Sequence, residues 1–271
     1  MIRRTALLIA IAITLAACGA GSLAGPTDAE SDSTADDDSL VTVPIHLQSM
    51  AEIWETDFSN SIIDLEELLV GIPISDPRDA IPPIDNPRFE AVSESDWIED
   101  QEPGVLIEIE GDARFYPLSV MTRHEIVNDE IAEVPVAVTY CPLCNTALVF
   151  DQRFEGETLR LGVSGLLRNS DLVMWDDVTQ TLWQQVTGEA IVGEHAGKSL
   201  TPLASAIVRW ADFRDSHPDG QALRSDQGFG LVYGSNPYEF YSSRGRPYNF
   251  YSGEIDDRFP ALERVVGISV N

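Results

Sequence analysis

Lysine is almost absent from this chain. Lys198 is the single one, and arginine supplies the rest of the 17 basic side chains against 45 acids, for a formal net charge of −28. So negative a surface repels nucleic acid and anionic lipid headgroups, which excludes both as binding partners. Only six of the 45 acids lie between residues 19 and 40, so the folded part carries the charge. That charge bears on solubility rather than on mechanism.

Cysteine is nearly as scarce. Cys18, Cys141 and Cys144 are the three in 271 residues, and Cys18 stands apart from the others in a leader-like segment. The folded part therefore has one close pair of thiols, Cys141-Pro142-Leu143-Cys144. An exported protein with such a pair oxidises the two together, binds a metal with them, or uses them in exchange. Ligands to add to them are few: His46, His124, His195 and His217, with four methionines.

Long apolar runs are also missing, apart from a stretch at Ala6–Ala12 that is too short to span a bilayer comfortably. Arg3 and Arg4 precede it and Leu15-Ala16-Ala17-Cys18 follows, which predicts an export signal over residues 1–18. The Leu-Ala-Ala-Cys ending resembles a bacterial lipobox, so Cys18 is expected to be acylated and to tether the chain to a membrane. The expected location is the extracytoplasmic face of the cell envelope. Residues 19–40 are small and polar, cannot bury enough surface to offset chain entropy, and predict a disordered acidic tether. Residues 41–271 are ample for a single domain.

Within that domain, patterning predicts helices around 47–57 and 60–70, the second capped by Asn60 or Ser61 and stopped by Gly71. A hairpin is expected from 105–109 and 113–116 about Gly111-Asp112, then a helix from Pro117 to about Asn128. The β-branched run Val134 to Tyr140 predicts a buried strand. After the cysteines, 147–150 and 158–163 read as strand, turn and strand, which excludes the helix that a thioredoxin-type site needs at that point. Further strands are expected at 171–176, 181–186 and 190–193, and a helix near 202–213. The expected class is α+β, predominantly strands and hairpins with a few short helices, and not thioredoxin-like.

Several long motifs then stand in a telling order: Ile84-Asp85-Asn86-Pro87-Arg88-Phe89, His124-Glu125-Ile126-Val127-Asn128-Asp129, and Thr139-Tyr140-Cys141-Pro142-Leu143-Cys144-Asn145-Thr146-Ala147. With Gly162 to Asp176 and Leu182-Trp183-Gln184-Gln185, they resemble the domain-of-unknown-function family numbered 3179, from about residue 78 to the end. Asn145 and Arg123 depart from the pattern, and neither change removes a ligand. The resemblance implies no activity.

Chemistry must therefore come from the residues. Positions three apart on a flat strand face opposite ways, so Cys141 and Cys144 can converge only about a turn, for which Pro142 presets the backbone. His124, on the predicted helix just before the cysteine strand, is the expected third ligand, with Glu125 or Asp129 fixing its tautomer. Met174 is the expected fourth. Two thiolates, an imidazole and a thioether would suit copper first; without the methionine, zinc. Metal delivery or electron transfer would follow, with a protein partner unidentified. The alternatives are a thiol-disulfide oxidoreductase attacking through Cys141, and a binding module clipped by a structural disulfide.

Three other motifs weigh less. Gly162-Val163-Ser164-Gly165 fails as a nucleophile elbow because Leu166 stands where a glycine is required. Asn169, Ser170, Asp171 and Asp176 read as turn and capping residues. The tyrosine-rich stretch from Tyr233 to Tyr251 reads as a packed surface loop that would otherwise line a ligand cleft.

Overall fold

The computed structural model describes residues 42–265 apart from 235 and 252; the expected signal, acylation site and tether lie outside the described residues. A run of β-branched and aromatic residues, Val134-Pro135-Val136-Ala137-Val138-Thr139-Tyr140-Cys141, forms the strand β6 (Val134–Cys141), buried on both faces from Val136 onward. It lies inside a four-stranded antiparallel sheet with β5 (Ile126–Ile131), β7 (Thr146–Asp151) and β14 (Thr201–Leu203), in the order β14-β7-β6-β5.

A five-stranded sheet covers each face. One is built from β1 (Leu68–Val70), β10 (Leu161–Arg168), β11 (Asp171–Asp176), β12 (Leu182–Gln184) and β13 (Ala190–Val192) in that order, all antiparallel. The other follows the order β15-β3-β4-β16-β2, from β2 (Phe89–Ala91), β3 (Pro103–Ile109), β4 (Asp112–Pro117), β15 (Ser205–Arg209) and β16 (Gln221–Leu223), with β16 parallel to β4. A small hairpin of β8 (Arg153–Phe154) and β9 (Glu157–Thr158) completes the strands.

The alternation of β6 feeds two cores. Val136, Val138 and Tyr140 pack with Val105, Ile107 and Tyr116 of β3 and β4, while Ala137 and Cys141 pack with Val163, Met174 and Trp183 of β10 to β12. Each fully buried valine contributes roughly 1.5–3 kcal/mol. The outer faces are closed by α1 (Gln48–Ala51) against Leu68 and Val173, and by α3 (Trp210–Ser216) against Phe115. The third helix, α2 (Leu118–Met121), leads into β5. The protein is thus mostly β, in several sheets with short helices.

Several elements depart from the sequence pattern. The helix expected at 47–57 contracts to α1, and that at 60–70 is replaced by a 3-10 turn at Leu65–Glu67 and then β1, with Asp64 rather than Asn60 or Ser61 as cap. Asn60 instead donates to Gly193 O, and Ser61 bridges Val192. The helix expected over 117–128 ends at Met121 and the chain turns into β5, because Ala132 and Glu133, both at positive φ, close a two-residue hairpin onto β6. Neither is a usual turn residue, and holding each there costs about 1–2 kcal/mol, which the full β5–β6 ladder offsets. The segment read as a helix at 202–213 is β14 and β15 followed by α3, because β7 and β3 each present an unfilled edge to it.

The Gly162–Gly165 motif is structural. Ser164 is fully buried, donates to Val173 O and accepts from Leu166 N. Gly165 holds φ at +79°, and a Cβ there would sit 2.4 Å from Pro77 Cβ. Gly165→Ala should therefore destabilise the protein by about 2–4 kcal/mol in urea unfolding; an unchanged midpoint would contradict this packing.

Candidate metal and thiol site

Two hairpin ends from neighbouring sheets meet at the edge of the buried layer. Cys141 is the last residue of β6, paired with Thr146, so Pro142 to Asn145 form the loop between them, with Asn145 at φ 49°. Opposite it, Asn169 and Ser170, both at positive φ, turn β10 into β11 and leave Asp171 as its first residue, paired with Arg168. The loop brings Cys144 back so that its Sγ lies 3.0 Å from Asp171 Oδ1 and 3.9 Å from Cys141 O. Cys141 Sγ faces Ser170 O at 3.7 Å. One atom from each of Cys141, Cys144 and Asp171 lies within 4.8 Å of the others, a group that could hold a metal ion.

The carboxylate is rigidly placed. Its second oxygen accepts from Gln184 Nε2 and, at 3.0 Å, from Val186 N, and Gln184 is itself held by Arg168, which pairs with Glu67. Asp171 and Gln184 are almost wholly buried, and such outer contacts orient a ligand before any ion arrives. Both cysteines are free thiols; Cys141 is buried and Cys144 is exposed.

The electrostatics are one-sided. Burial pushes the Cys141 thiol well above its ordinary range, and Cys144, Asp171 and Glu125 push it further the same way. Glu125 follows α2 at φ 61° and accepts from Tyr140 N at 2.8 Å, which sets it beside the end of β6. Its carboxyl is pushed up to about 8, by burial first and then by Asp171. The largest contributions to both shifts are burial and neighbouring acids or thiols. Such surroundings suppress a nucleophilic thiolate at Cys141, and the exposed sulfur is Cys144, the reverse of the order expected for exchange chemistry.

His124 is placed elsewhere. Fully buried, it donates from Nδ1 to Pro82 O at 2.6 Å, and its Nε2 accepts from the Tyr233 hydroxyl at 2.7 Å. Phe229 lies against its ring, and burial lowers its pKa. Both nitrogens are thus engaged, and neither is among the converging ligand atoms. Pro82, not Glu125 or Asp129, fixes its tautomer; Asp129 instead binds Arg114 and the Tyr116 hydroxyl. Met174 is a core residue between Val163 and Trp183 in the cluster that contains Cys141. Asp176 caps the following turn through Val178 and Thr179, as a turn residue should. Asp171 was hidden in that same polar cluster; its signal is an acid opening a strand whose next residues are all apolar.

The family comparison adds identity here. The profile described as "Protein of unknown function (DUF3179)" matches residues 78–271. The chain belongs to the DUF3179 family. Cys141, Cys144, Asp171 and Glu125 of this DUF3179 protein all fall within the matched span. No curated protein matches the chain, and no solved structure does. Among the described residues, no helix of the DUF3179 protein is long and apolar enough to cross a membrane.

Glu125 makes a direct test of the site's electrostatics. Its folded pKa of about 8 lies above the ordinary 4.5, so the folded state keeps a proton that the unfolded state releases. Stability of the metal-free protein should then fall as pH rises from about 4.5 to about 8, by roughly 3–5 kcal/mol from this group. Glu125→Gln should flatten that decline and raise the urea midpoint at pH 8; an equal slope in both proteins would place Glu125 in a more polar setting.

Proposed function

We propose that this protein is a metal-binding module of the cell envelope, holding one ion through Cys141, Cys144 and Asp171. The convergence of two sulfurs and a carboxylate within 4.8 Å carries the reading. The buried Asp171 and Glu125 beside the thiols support it, because a cation relieves what buried acids impose. A carboxylate beside two thiolates is harder than the set first expected with His124 and Met174, so zinc comes ahead of copper. Three protein ligands leave a position open, which favours transient carriage and delivery over permanent structural use. Acylation at Cys18 would tether the module to the extracytoplasmic face of a membrane, where a protein partner would receive or supply the ion.

Native mass spectrometry of the full chain loaded with zinc is the test. One ion per chain is expected, absent in Cys141→Ser and Cys144→Ser and retained in His124→Ala. Asp171→Asn should weaken binding at least tenfold, and Gln184→Ala by about 10–100-fold through the lost orienting contact. Loading near neutral pH should release close to two protons, because both sulfurs must give up theirs. A chain that takes no ion and loses two hydrogens in air would replace this reading with thiol redox chemistry at Cys144.

A further inference from the structure

Of the three residues that could hold an ion, Cys144 alone lines a cleft of about 710 Å³ at the end of the buried layer. One wall is the loop after β6 with the Asn169-Ser170 turn; the other is drawn from the chain between Asn236 and Val265. The two are tied where Ser170 N donates to Phe250 O at 3.0 Å. The tyrosine-rich stretch is therefore a cleft wall, through Tyr238, Tyr241 and Tyr251, and not merely a packed surface loop. Cys141 and Asp171 are sealed beneath, so an ion held by the group would come and go past Cys144, through this mouth.

The mouth has the make-up of a protein contact. Phe259 and Ile255 line it and are each about half exposed, and Phe240, between the lining residues Glu239 and Tyr241, is 74% exposed. Aromatic and branched side chains gathered in water and ringed by charge mark a site that another molecule covers. The ring is acidic: Glu239, Glu254, Asp256 and Glu263 all line the cleft and are exposed. Arg258 and Arg264 line it too, and Asp256 already holds Arg258. Counting both guanidiniums as charged, four acids against two bases leave the mouth negative, and the net charge of −28 acts in the same direction. Such a surface repels an anionic membrane or an acidic protein, and it complements a protein face on which an apolar side chain is ringed by lysine or arginine. A small organic cation would leave Phe240 in water.

We infer that this mouth is the docking surface for a protein partner with a basic face centred on an apolar side chain, which meets Cys144 there and exchanges the ion. The exchange rests on the metal reading. The docking does not, since neither the rim acids nor the phenylalanines belong to the metal group.

A fluorescein-labelled peptide, Lys-Arg-Leu-Phe-Arg-Lys, is the probe, with the charge-reversed Glu-Asp-Leu-Phe-Asp-Glu beside it. On the metal-free full chain the basic peptide should bind saturably, with a weaker Kd as salt is raised, and should slow alkylation of Cys144 by iodoacetamide. Phe259→Ala should weaken the peptide about tenfold, as loss of a central aromatic contact does. The double variant Glu239→Lys with Glu254→Lys should do so by about as much, while Glu52→Lys, outside the cleft, should change it far less. These side chains are exposed, so the variants keep the fold. No binding at millimolar peptide, equal binding of the acidic peptide, or unchanged affinity in Phe259→Ala would overturn the assignment. Equal protection of Cys144 by benzylamine would also overturn it, in favour of a small-cation site. Zinc loading of the same Phe259→Ala protein, read by native mass, should be unchanged, so that failure of the docking surface and failure of the metal group are read separately.

Discussion

Burial of β6 on both faces is the constraint on which the rest of the structure depends. A strand whose alternate residues enter two different cores cannot slip by one position without exchanging them, so its register is strongly held. Val136, Val138 and Tyr140 must meet β3 and β4, and Ala137 and Cys141 must meet β10 to β12. The end of β6 is thereby delivered to one place, beside the turn that opens β11. The thiol site is a consequence of where this strand is allowed to stop.

What collects there is unusual for a protein interior. Asp171 and Glu125 are both carboxyl groups removed from water, and the buried thiol of Cys141 lies under their influence. Left alone, the cluster is tolerable only because protons stay on it: Glu125 keeps its proton through neutrality and Cys141 far beyond. A cation held there would replace those protons with one charge shared among several donors, which is the ground for proposing metal capture over nucleophilic attack. The arrangement also divides labour between the sulfurs. Cys141 is sealed in the core, while Cys144 is exposed and would be the first of the two sulfurs to meet an incoming ion.

Much of the strand framework was legible from composition and alternation alone. The β-branched run before Cys141, the hairpin about Gly111 and the strand from Asp171 to Asp176 follow from local periodicity and familiar turn residues. Two of the misreadings share one cause. At 117–128 and 202–213 the apolar spacing fits a helix about as well as a strand, and the choice fell to sheet edges that only the folded chain offers. The Ala132-Glu133 turn carries no glycine or asparagine, so nothing local announced it.

The site divides in the same way. The cysteine pair, its turn and its isolation from other thiols belong to the sequence, because their spacing is local and the chain has no other candidates. The third member of the candidate group does not. His124 is near in sequence and of the right chemical type, yet its imidazole is spent on Pro82 and Tyr233; Asp171, 27 residues beyond Cys144, arrives instead through the stacking of two sheets. Local pattern determines which way a side chain points from its own strand. Which strand end lies opposite is decided by the packing of cores, and that is where this protein's chemistry was settled.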